Sequence, residues 1–212
     1  MTTLSRKILI LPIFLWSKCK ILTAMIATSC ALNAEVLPAP QTTGGMPLMQ
    51  AMQERKSQRD IDPASTVTKQ ELSNMLWAAW GITHDGKRTI ATAMNRQELE
   101  LYVITATEIS RYSAEDNTLT VVNTGDFREI QARQDWAKTA PINIALVVNT
   151  DKQRMNEFQN YTAGAASHAI YLYCASAGLK TTVRAMPDNK EVSQALKLGS
   201  NQRLLYIQTV GR

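Results

Sequence analysis

The 212-residue sequence predicts an α+β fold in which a central sheet, mixed or antiparallel, is flanked by helices. Three observations predict it. Apolar residues recur at helical spacing up to about residue 81, the period changes to two from residue 98, and an unbroken apolar run at 142–149 is typical of a central strand. Internal repeats and low-complexity segments are absent from the sequence, so one domain is expected.

Residues 1–34 are expected to be a leader outside this domain. Two basic stretches each precede an apolar run that is shorter than the roughly 20 residues needed to span a membrane. Small residues near Ala34 are typical of a signal cleavage site, which predicts an exported, periplasmic protein without a transmembrane span in the mature chain. Cys30 is then a candidate acylation site of a lipoprotein. If the true start lies further along the chain, a cytoplasmic protein is expected.

Subtracting the leader changes the charge balance. The whole chain carries 23 Lys and Arg residues against 18 Asp and Glu, a formal net charge of +5. Four of the cations lie in the leader, so 19 face 18 acids in the rest of the chain. Because a basic footprint is the first requirement of nucleic-acid recognition, we expect no nucleic-acid partner.

Cysteine usage excludes two kinds of site. The leader contains or adjoins Cys19 and Cys30, which leaves Cys174 alone in the domain. A single thiol forms no internal disulfide, and no Cys or His spacing matches a zinc site, so no metal is predicted. Cys174 lies in an apolar stretch and is expected to be a small core residue.

The helical half of the domain follows a short tether. Residues 35–45, rich in Pro, Thr and Gly, predict this tether, and the domain proper is expected at 46–212. Pro47 is placed to begin a first helix, with Met49 and Met52 on its buried side. A capping box at 68–71 predicts the start of a second helix, which Gly81 is placed to end.

The rest of the chain alternates strands and helices. Strands are predicted at 99–105, 109–113, 119–123, 142–149, 181–184 and 204–210, and helices at 127–137, 155–177 and 188–198. Glu98 and Glu100 stand two residues apart at the first strand. We interpret them as part of a solvated strand face rather than as a pair of catalytic carboxylates.

The densest group of hydrogen-bond donors is Arg55-Lys56-Ser57-Gln58-Arg59, with three cations and a hydroxyl. Guanidinium forks and a point-charge ammonium suit a doubly charged anion such as a phosphate monoester, although a solvated basic patch has the same composition. The sequence has no nucleophile elbow, HExxH, Walker loop or GxGxxG. An enzyme with so little acid–base machinery needs a cofactor that carries the reactivity, and a flavin fits.

Several stretches together resemble the FMN-dependent nitroreductase family. Their order and spacing match over about residues 49–211, and an N-terminal secretion signal precedes them. The matching stretches are the RxSxR-type motif at 55–59, Leu76 to Ile82 with Asp85 to Thr89, Ala91 to Gln97 as the family's PSxxNxQ segment, Gly125 to Arg128, Tyr171 to Leu179, and Gln208 to Gly211.

The resemblance implies a homodimer with two FMN sites, each lined by both subunits. Arg55, Lys56 and Ser57 would hold the phosphate and ribityl end, and Arg59 would approach the pyrimidine side of the flavin. A cation there stabilises the charge that collects at N1 and the C2 carbonyl on reduction. No side chain is expected to be catalytic, because the flavin carries the chemistry.

Three further segments complete the cofactor site that the resemblance implies. Asn95 would hydrogen-bond the polar edge of the flavin, with Gln97 in the same segment, although Asn95 is also suited to capping a turn. The loop at 184–186, with Arg184 and Ala185, occupies the position where family members give a backbone N–H near flavin N5. Arg212 follows the terminal Gly211 and is expected to add a phosphate contact.

The implied activity is that of an FMN-dependent NAD(P)H oxidoreductase. Hydride would pass in a ping-pong cycle from NADH or NADPH through flavin N5 to a small-molecule acceptor such as a nitroaromatic or a quinone. The leader keeps an alternative open, since an exported protein meets little reduced nicotinamide. That alternative is an exported flavin-binding protein with little or no NAD(P)H-dependent turnover.

Overall fold

The structure, a computed structural model, describes residues 34–185 and 190–212. Residues 1–33 of the predicted leader, with its candidate acylation site at Cys30, lie outside the described residues, and its last residue, Ala34, begins the first strand of the sheet. Residues 186–189 also lie outside the described residues, and they include the end of the predicted 184–186 loop and the start of the predicted helix at 188–198. Within the described ranges, no helix is both long and apolar enough to cross a membrane.

One seven-stranded sheet forms the centre of the domain, and all its neighbouring strands are antiparallel. Its order is β1-β4-β3-β2-β5-β7-β6. This confirms the predicted α+β class and the antiparallel sheet. The strands are β1 Ala34–Val36, β2 Leu99–Ile104, β3 Glu108–Ser113, β4 Thr118–Thr124, β5 Ile142–Asn149, β6 Lys180–Ala185 and β7 Gln202–Gly211.

Helices cover both faces of this sheet. They are α1 Leu48–Glu54, α2 Lys69–Trp80, α3 Asp135–Lys138, α4 Asn156–Ala177 and α5 Lys190–Ala195. The helices α2 and α4 share one apolar core with the sheet, and α5 shares a second core on the other side. As a result β5 is buried along seven of its eight residues, which explains its mostly apolar sequence, although the buried Asn143 interrupts the predicted apolar run.

The packing of α4 follows from its small residues. Ala163 and Ala166 are fully buried, and α4 makes its closest helix contact with α2. Side chains of this size let two helix backbones approach closely, and both alanines belong to the Ala-Gly-Ala-Ala-Ser stretch at 163–167. Cys174, from the same helix, is fully buried in the same core, as predicted.

The predicted capping box opens α2. The Thr68 hydroxyl accepts the Glu71 N–H at 3.2 Å, and the Glu71 carboxylate accepts the Thr68 N–H at 2.8 Å. Gly81 ends the helix as predicted, but with φ of −65° it does so without a left-handed turn. Space is the reason for glycine here, because a Cβ would overlap the Trp77 ring.

Two predictions at the start of the domain were wrong. The segment predicted as a tether begins inside the sheet, because β1 pairs with β4 and Leu37 is only 3% exposed. Met49 and Met52 were predicted on the buried side of α1, but they are 75% and 46% exposed. Ala51 is instead the buried residue of α1.

The helix predicted at 127–137 is much shorter, since only Asp135–Lys138 is helical. Arg128 explains the difference. Its guanidinium binds Asp126 at 2.7 Å and donates to the carbonyls of Thr139 and Ala140 at 3.2 Å. These bonds draw both ends of the segment together as a loop, which the local apolar spacing did not reveal.

The interpretation of Glu98 and Glu100 as a solvated face was also wrong. Glu98 is fully buried, and the Glu100 side chain is only 11% exposed and lies 3.3 Å from Arg111. The strand β2 lies between β3 and β5, and apolar cores cover both of its faces. On this strand, the alternation of polar and apolar residues therefore does not distinguish a solvent-exposed face from a buried one.

The β3–β4 hairpin gives the fold a measurable dependence on pH. Burial raises the pKa of the Tyr112 hydroxyl to about 12, above its ordinary value of 10.0. A group whose pKa is raised on folding stabilises the folded state, and this stabilisation is fully present at pH values below the pKa of the group in the unfolded chain. That contribution is lost as the pH rises through the folded pKa, here between about 10 and 12.

We therefore expect the wild-type protein to lose more stability than a Tyr112→Phe variant between pH 8 and pH 11, by about 1 kcal/mol. Urea unfolding at the two pH values measures this difference. A Tyr161→Phe variant is the control because Tyr161 is 57% exposed, and it should lose as much as the wild type. Equal losses in the wild type and Tyr112→Phe would contradict the prediction.

Candidate functional site

The cationic segment at 55–59 is held along the edge strand β6. The Gln58 N–H donates to the Thr181 carbonyl at 3.0 Å, and the Thr182 hydroxyl donates to the Gln58 carbonyl at 2.7 Å. Just beyond, the Lys180 ammonium binds the Asp60 carboxylate at 2.7 Å. The edge of the sheet thus gives a segment without secondary structure a defined position.

The end of β7 contacts the residues that follow the 55–59 segment. The Asp62 N–H donates to the Arg212 carbonyl at 2.6 Å. Gly211 is required at this contact, because a Cβ there would lie 2.5 Å from Cγ2 of Ile61 and 3.0 Å from Cδ of Pro141. We noted Gly211 in the sequence only as part of a motif, and its role in packing is visible only in the structure.

Tyr171 on α4 orders two residues of the cationic segment. The Arg55 guanidinium lies over the Tyr171 ring, 5.4 Å from its centroid, and Ser57 Oγ lies 2.8 Å from the Tyr171 hydroxyl. That hydroxyl accepts the Val183 N–H at 3.0 Å. If Tyr171 in turn donates its proton to Ser57, the Ser57 proton is free to bind an acceptor outside the protein.

The charge of this segment is not balanced within the protomer. Lys56 and Arg59 are exposed and Arg55 is partly buried, and in the part of the chain that the structure describes none of the three forms an ion pair. The two arginines offer planar guanidinium donors, the lysine offers an ammonium, and Ser57 adds a neutral hydroxyl. Such a set suits an anion with several oxygens.

The second predicted segment, 91–97, has a strained backbone. Met94, Asn95 and Gln97 have φ values of 53°, 54° and 48°, a region that residues with a Cβ seldom adopt. Asn95 is exposed, and its side-chain carbonyl accepts from the Gln97 amide at 3.2 Å. Strain of this kind persists only where surrounding contacts impose it, and it is concentrated at functional sites.

Arg88 supplies much of that constraint. Its guanidinium donates to the Gln97 side chain at 2.9 Å, binds Glu115 at 2.6 Å and lies 4.9 Å from the centroid of the Trp80 ring. The Gln97 amide also donates to the Gly86 carbonyl at 3.2 Å. The Gln97 side chain is therefore occupied within the protomer, while that of Asn95 still presents its amide donors outward.

The two segments are attached at different places along α4 and the turn before it. The 91–97 segment is attached before the start of α4, where Arg96 donates to the Lys152 carbonyl at 3.0 Å. The 55–59 segment is attached at Tyr171, fifteen residues after the first residue of α4. At 1.5 Å per residue, Tyr171 lies about 22 Å along the helix from its first residue.

Arg184 has a different place from the one predicted for a loop beside a cofactor. It belongs to β6, Ala185 is the last residue of that strand, and the backbone contribution of the 184–186 loop stays a prediction. The Arg184 guanidinium donates to the Gln131 carbonyl at 2.7 Å, to Thr209 at 3.1 Å and to Asn143 at 3.3 Å. Burial lowers its pKa to about 10.

Arg212 is already engaged by its own protomer. Its guanidinium donates to the Thr66 carbonyl and forms an ion pair with Glu71. Partial burial opposes ionisation of Glu71, but hydrogen bonds from Thr68 and Arg212 outweigh it and lower the pKa of Glu71. The predicted phosphate contact from Arg212 would require it to leave this pair.

The remaining reactive side chains do not form a site. Burial raises the pKa of the Cys174 thiol, which suits a core residue and not a nucleophile. His84 and His168 are exposed. Among residues 34–185 and 190–212, no three His, Cys, Asp or Glu side chains gather in a way that could hold a metal ion.

Comparisons with known proteins bear on the family and the fold. The sequence model of the Nitroreductase family matches residues 52–212. A crystal structure of a protein from Ralstonia eutropha JMP134, named as a nitroreductase, is 32% identical to this chain with a TM-score of 0.78, and the match covers 84% of this chain and 89% of that one. No curated protein matches the chain.

More distant structures share the fold. A protein from Desulfovibrio desulfuricans, named as a nitroreductase and crystallised in complex with FMN, is 18% identical with a TM-score of 0.59, over 79% of this chain and 87% of that one. A protein from Clostridium acetobutylicum, named as an NADH oxidase, is 22% identical with a TM-score of 0.56, over 76% and 86%.

The contacts of Arg184 predict its contribution to stability. Replacing it with Met would leave the Gln131 carbonyl and amide oxygen without their donor inside the protein, which costs about 2 kcal/mol of unfolding free energy. Urea unfolding measures the effect. The control Arg154→Met removes an exposed arginine and should change stability by less than about 0.5 kcal/mol. Equal effects of the two variants would show that the Arg184 contacts contribute nothing.

Proposed function

The chain belongs to the nitroreductase family, and we propose that it is an FMN-dependent oxidoreductase that uses NADH or NADPH to reduce a small acceptor such as a nitroaromatic or a quinone. Bound FMN would supply the hydride chemistry at N5 in a ping-pong cycle. The observation that carries the proposal is the cationic segment at 55–59, whose charge is unbalanced and whose position β6 and α4 define.

The donor set of this segment fits the FMN phosphate. Arg55 is held by the Tyr171 ring at its partly buried position, so its fork can meet two phosphate oxygens. Ser57 can donate a further hydrogen bond when the Tyr171 hydroxyl donates to its oxygen. Lys56 adds a mobile point charge at the surface, and we assign these three residues to the phosphate and the ribityl chain.

Two other residues would act at the flavin ring. Arg59 would approach the pyrimidine side, where its charge favours the reduced, anionic flavin. Asn95 would hydrogen-bond the polar edge with the side-chain donors that remain available. The strained segment around Asn95 supports a role of this kind, since the fold maintains the strain through Arg88 and Lys152.

The separation of the two segments favours a homodimer whose sites are lined by both subunits. Tyr171, which orders Arg55, lies about 22 Å along α4 from the first residue of the helix, and the 91–97 segment is attached before that residue, so we infer that Arg55 of one subunit and Asn95 of the other contact the same FMN. Apolar residues are also exposed on the protomer, among them Leu48, Met49 and Tyr161 at 61%, 75% and 57%. Burying such side chains at a subunit contact is favourable.

The names of relatives support the cofactor and the donor. One structural neighbour was crystallised with FMN and another is named as an NADH oxidase. The predicted leader favours export, where reduced nicotinamide is scarce. An exported protein would then need another electron donor, or it would bind flavin with little turnover.

Flavin binding is the first test. The purified protein should be yellow or should take up added FMN, and Arg55→Ala and Ser57→Ala should each raise the FMN dissociation constant by about tenfold or more, because hydrogen bonds to a charged group are lost. Flavin fluorescence quenching measures the constant. The control Arg154→Ala removes an exposed cation elsewhere and should leave it unchanged. A colourless protein that takes up no FMN would contradict the proposal.

Turnover is tested separately. When FMN-loaded protein is mixed anaerobically with NADH or NADPH in a stopped-flow instrument, the flavin absorbance should bleach rapidly and return on addition of a quinone. The faster nicotinamide identifies the physiological donor. Protein that binds FMN but is not bleached by either nicotinamide would favour the flavin-binding alternative over the reductase.

Mixing two defective variants tests the shared site. Arg55→Ala and Asn95→Ala proteins should each bind FMN weakly, but after subunit exchange a mixed dimer contains one intact site and one with both defects. Random pairing of equal amounts then restores about a quarter of the tight sites. Sites contained within one subunit would give no recovery, and that result would exclude the shared arrangement.

A further inference from the structure

A second polar cluster is buried behind the 91–97 segment, where β2 begins beside the first turns of α4. Its members are Glu98, Gln153, Gln159 and Thr162, which are exposed by at most 2%. Glu98 is next in the chain after Gln97, the last of the strained residues. The cluster therefore adjoins the segment that we assign to the flavin edge.

Hydrogen bonds tie this cluster to three elements. The Thr162 hydroxyl of α4 donates to the Glu98 carboxylate at 2.6 Å. The Gln159 amide donates to the Gln153 carbonyl at 2.5 Å, and the Glu98 backbone carbonyl accepts the N–H of Asn149, the last residue of β5, at 2.8 Å. Gln159 and Thr162 lie on one face of α4 because they are three residues apart.

Three atoms of the cluster have no hydrogen-bond partner among the described residues. They are the second carboxylate oxygen of Glu98, the amide nitrogen of Gln153 and the amide oxygen of Gln159. Buried polar atoms of native proteins are nearly always paired, either with protein or with water. Water enclosed beside these atoms would supply the missing partners, because it both donates and accepts hydrogen bonds.

We propose that Glu98 is a positioning residue for the flavin site. Its carboxylate, held by Thr162 and by enclosed water at its second oxygen, locks the end of the 91–97 segment so that the strained backbone presents Asn95. The inference rests on the proposed function.

The physical reason is the need for an external constraint. The left-handed φ values at Met94, Asn95 and Gln97 would relax in a free loop. Arg88 and Lys152 hold the segment from the surface side, through the Gln97 side chain and carbonyl. Glu98 holds the buried end of the segment, because its carboxylate keeps the hydrogen bond from Thr162 only while Glu98 stays buried.

Thr162 offers a matched pair of variants. Thr162→Val keeps the side-chain shape but removes the hydroxyl, whereas Thr162→Ser keeps the hydroxyl. In the flavin-free protein, we expect Thr162→Val to raise hydrogen exchange of the amides at 93–97 about tenfold, and Thr162→Ser to leave it near wild type. If the 93–97 segment of Thr162→Val has the conformation that binds FMN in only about one molecule in ten, the apparent FMN dissociation constant of this variant rises about tenfold.

A second variant separates positioning from general loss of stability. Ile109→Val removes one methylene from a fully buried residue of β3, which pairs with the far end of β2. It should lower the urea midpoint without changing exchange at 93–97. An equal rise in exchange for Ile109→Val and Thr162→Val, or no rise for Thr162→Val, would overturn the inference.

The two proposals fail in different ways. Wild-type protein that takes up no FMN contradicts the proposed function, whereas unchanged exchange in Thr162→Val contradicts the role of Glu98 alone. A crystal structure of the wild-type protein should also show one water within hydrogen-bond distance of the second Glu98 oxygen. An apolar, dry space at that position would overturn the water-mediated part of the proposal.

Discussion

The rest of the structure depends on the close packing of α4 against α2 and the sheet. Ala163 and Ala166 are fully buried at this contact, and their small side chains let the helix lie deep in the domain. Larger side chains at such positions force neighbouring elements apart, which a densely packed core does not tolerate without loss of stability. Because α4 runs along the domain for 22 residues, its position determines what lies at both of its ends.

The two ends of α4 hold the two segments of the candidate site. Near its C-terminal end, Tyr171 orders Arg55 and Ser57 beside the edge strand β6. Near its N-terminal end, Thr162 binds Glu98, which follows the strained 91–97 segment. One rigid element therefore sets the distance between a cation cluster and a presented amide. The attachment of the two segments to opposite parts of this helix supports the proposed site shared between subunits.

Much of the fold follows from local sequence patterns, and part of the site does too. The capping box before α2, the apolar run of β5 and the alternation in β2 each depend on neighbouring residues, so they are readable without tertiary information. The helix predicted at 127–137 failed because Arg128 binds carbonyls eleven and twelve residues away. The burial of Glu98 was missed because alternation reports which side chains share a face, and not whether that face is covered.

The sequence by itself determined the family of the chain, the α+β class and the concentration of cations at 55–59, because motif order, periodicity and charge are properties of the chain alone. Tertiary structure decided which cations remain available to bind an anionic ligand. It paired Arg212 with Glu71 and buried Arg184 among neutral partners, while Arg55 and Ser57 were left presented beside Tyr171. The physical reason is that availability depends on burial and on partners distant in sequence, and only the folded chain brings these together.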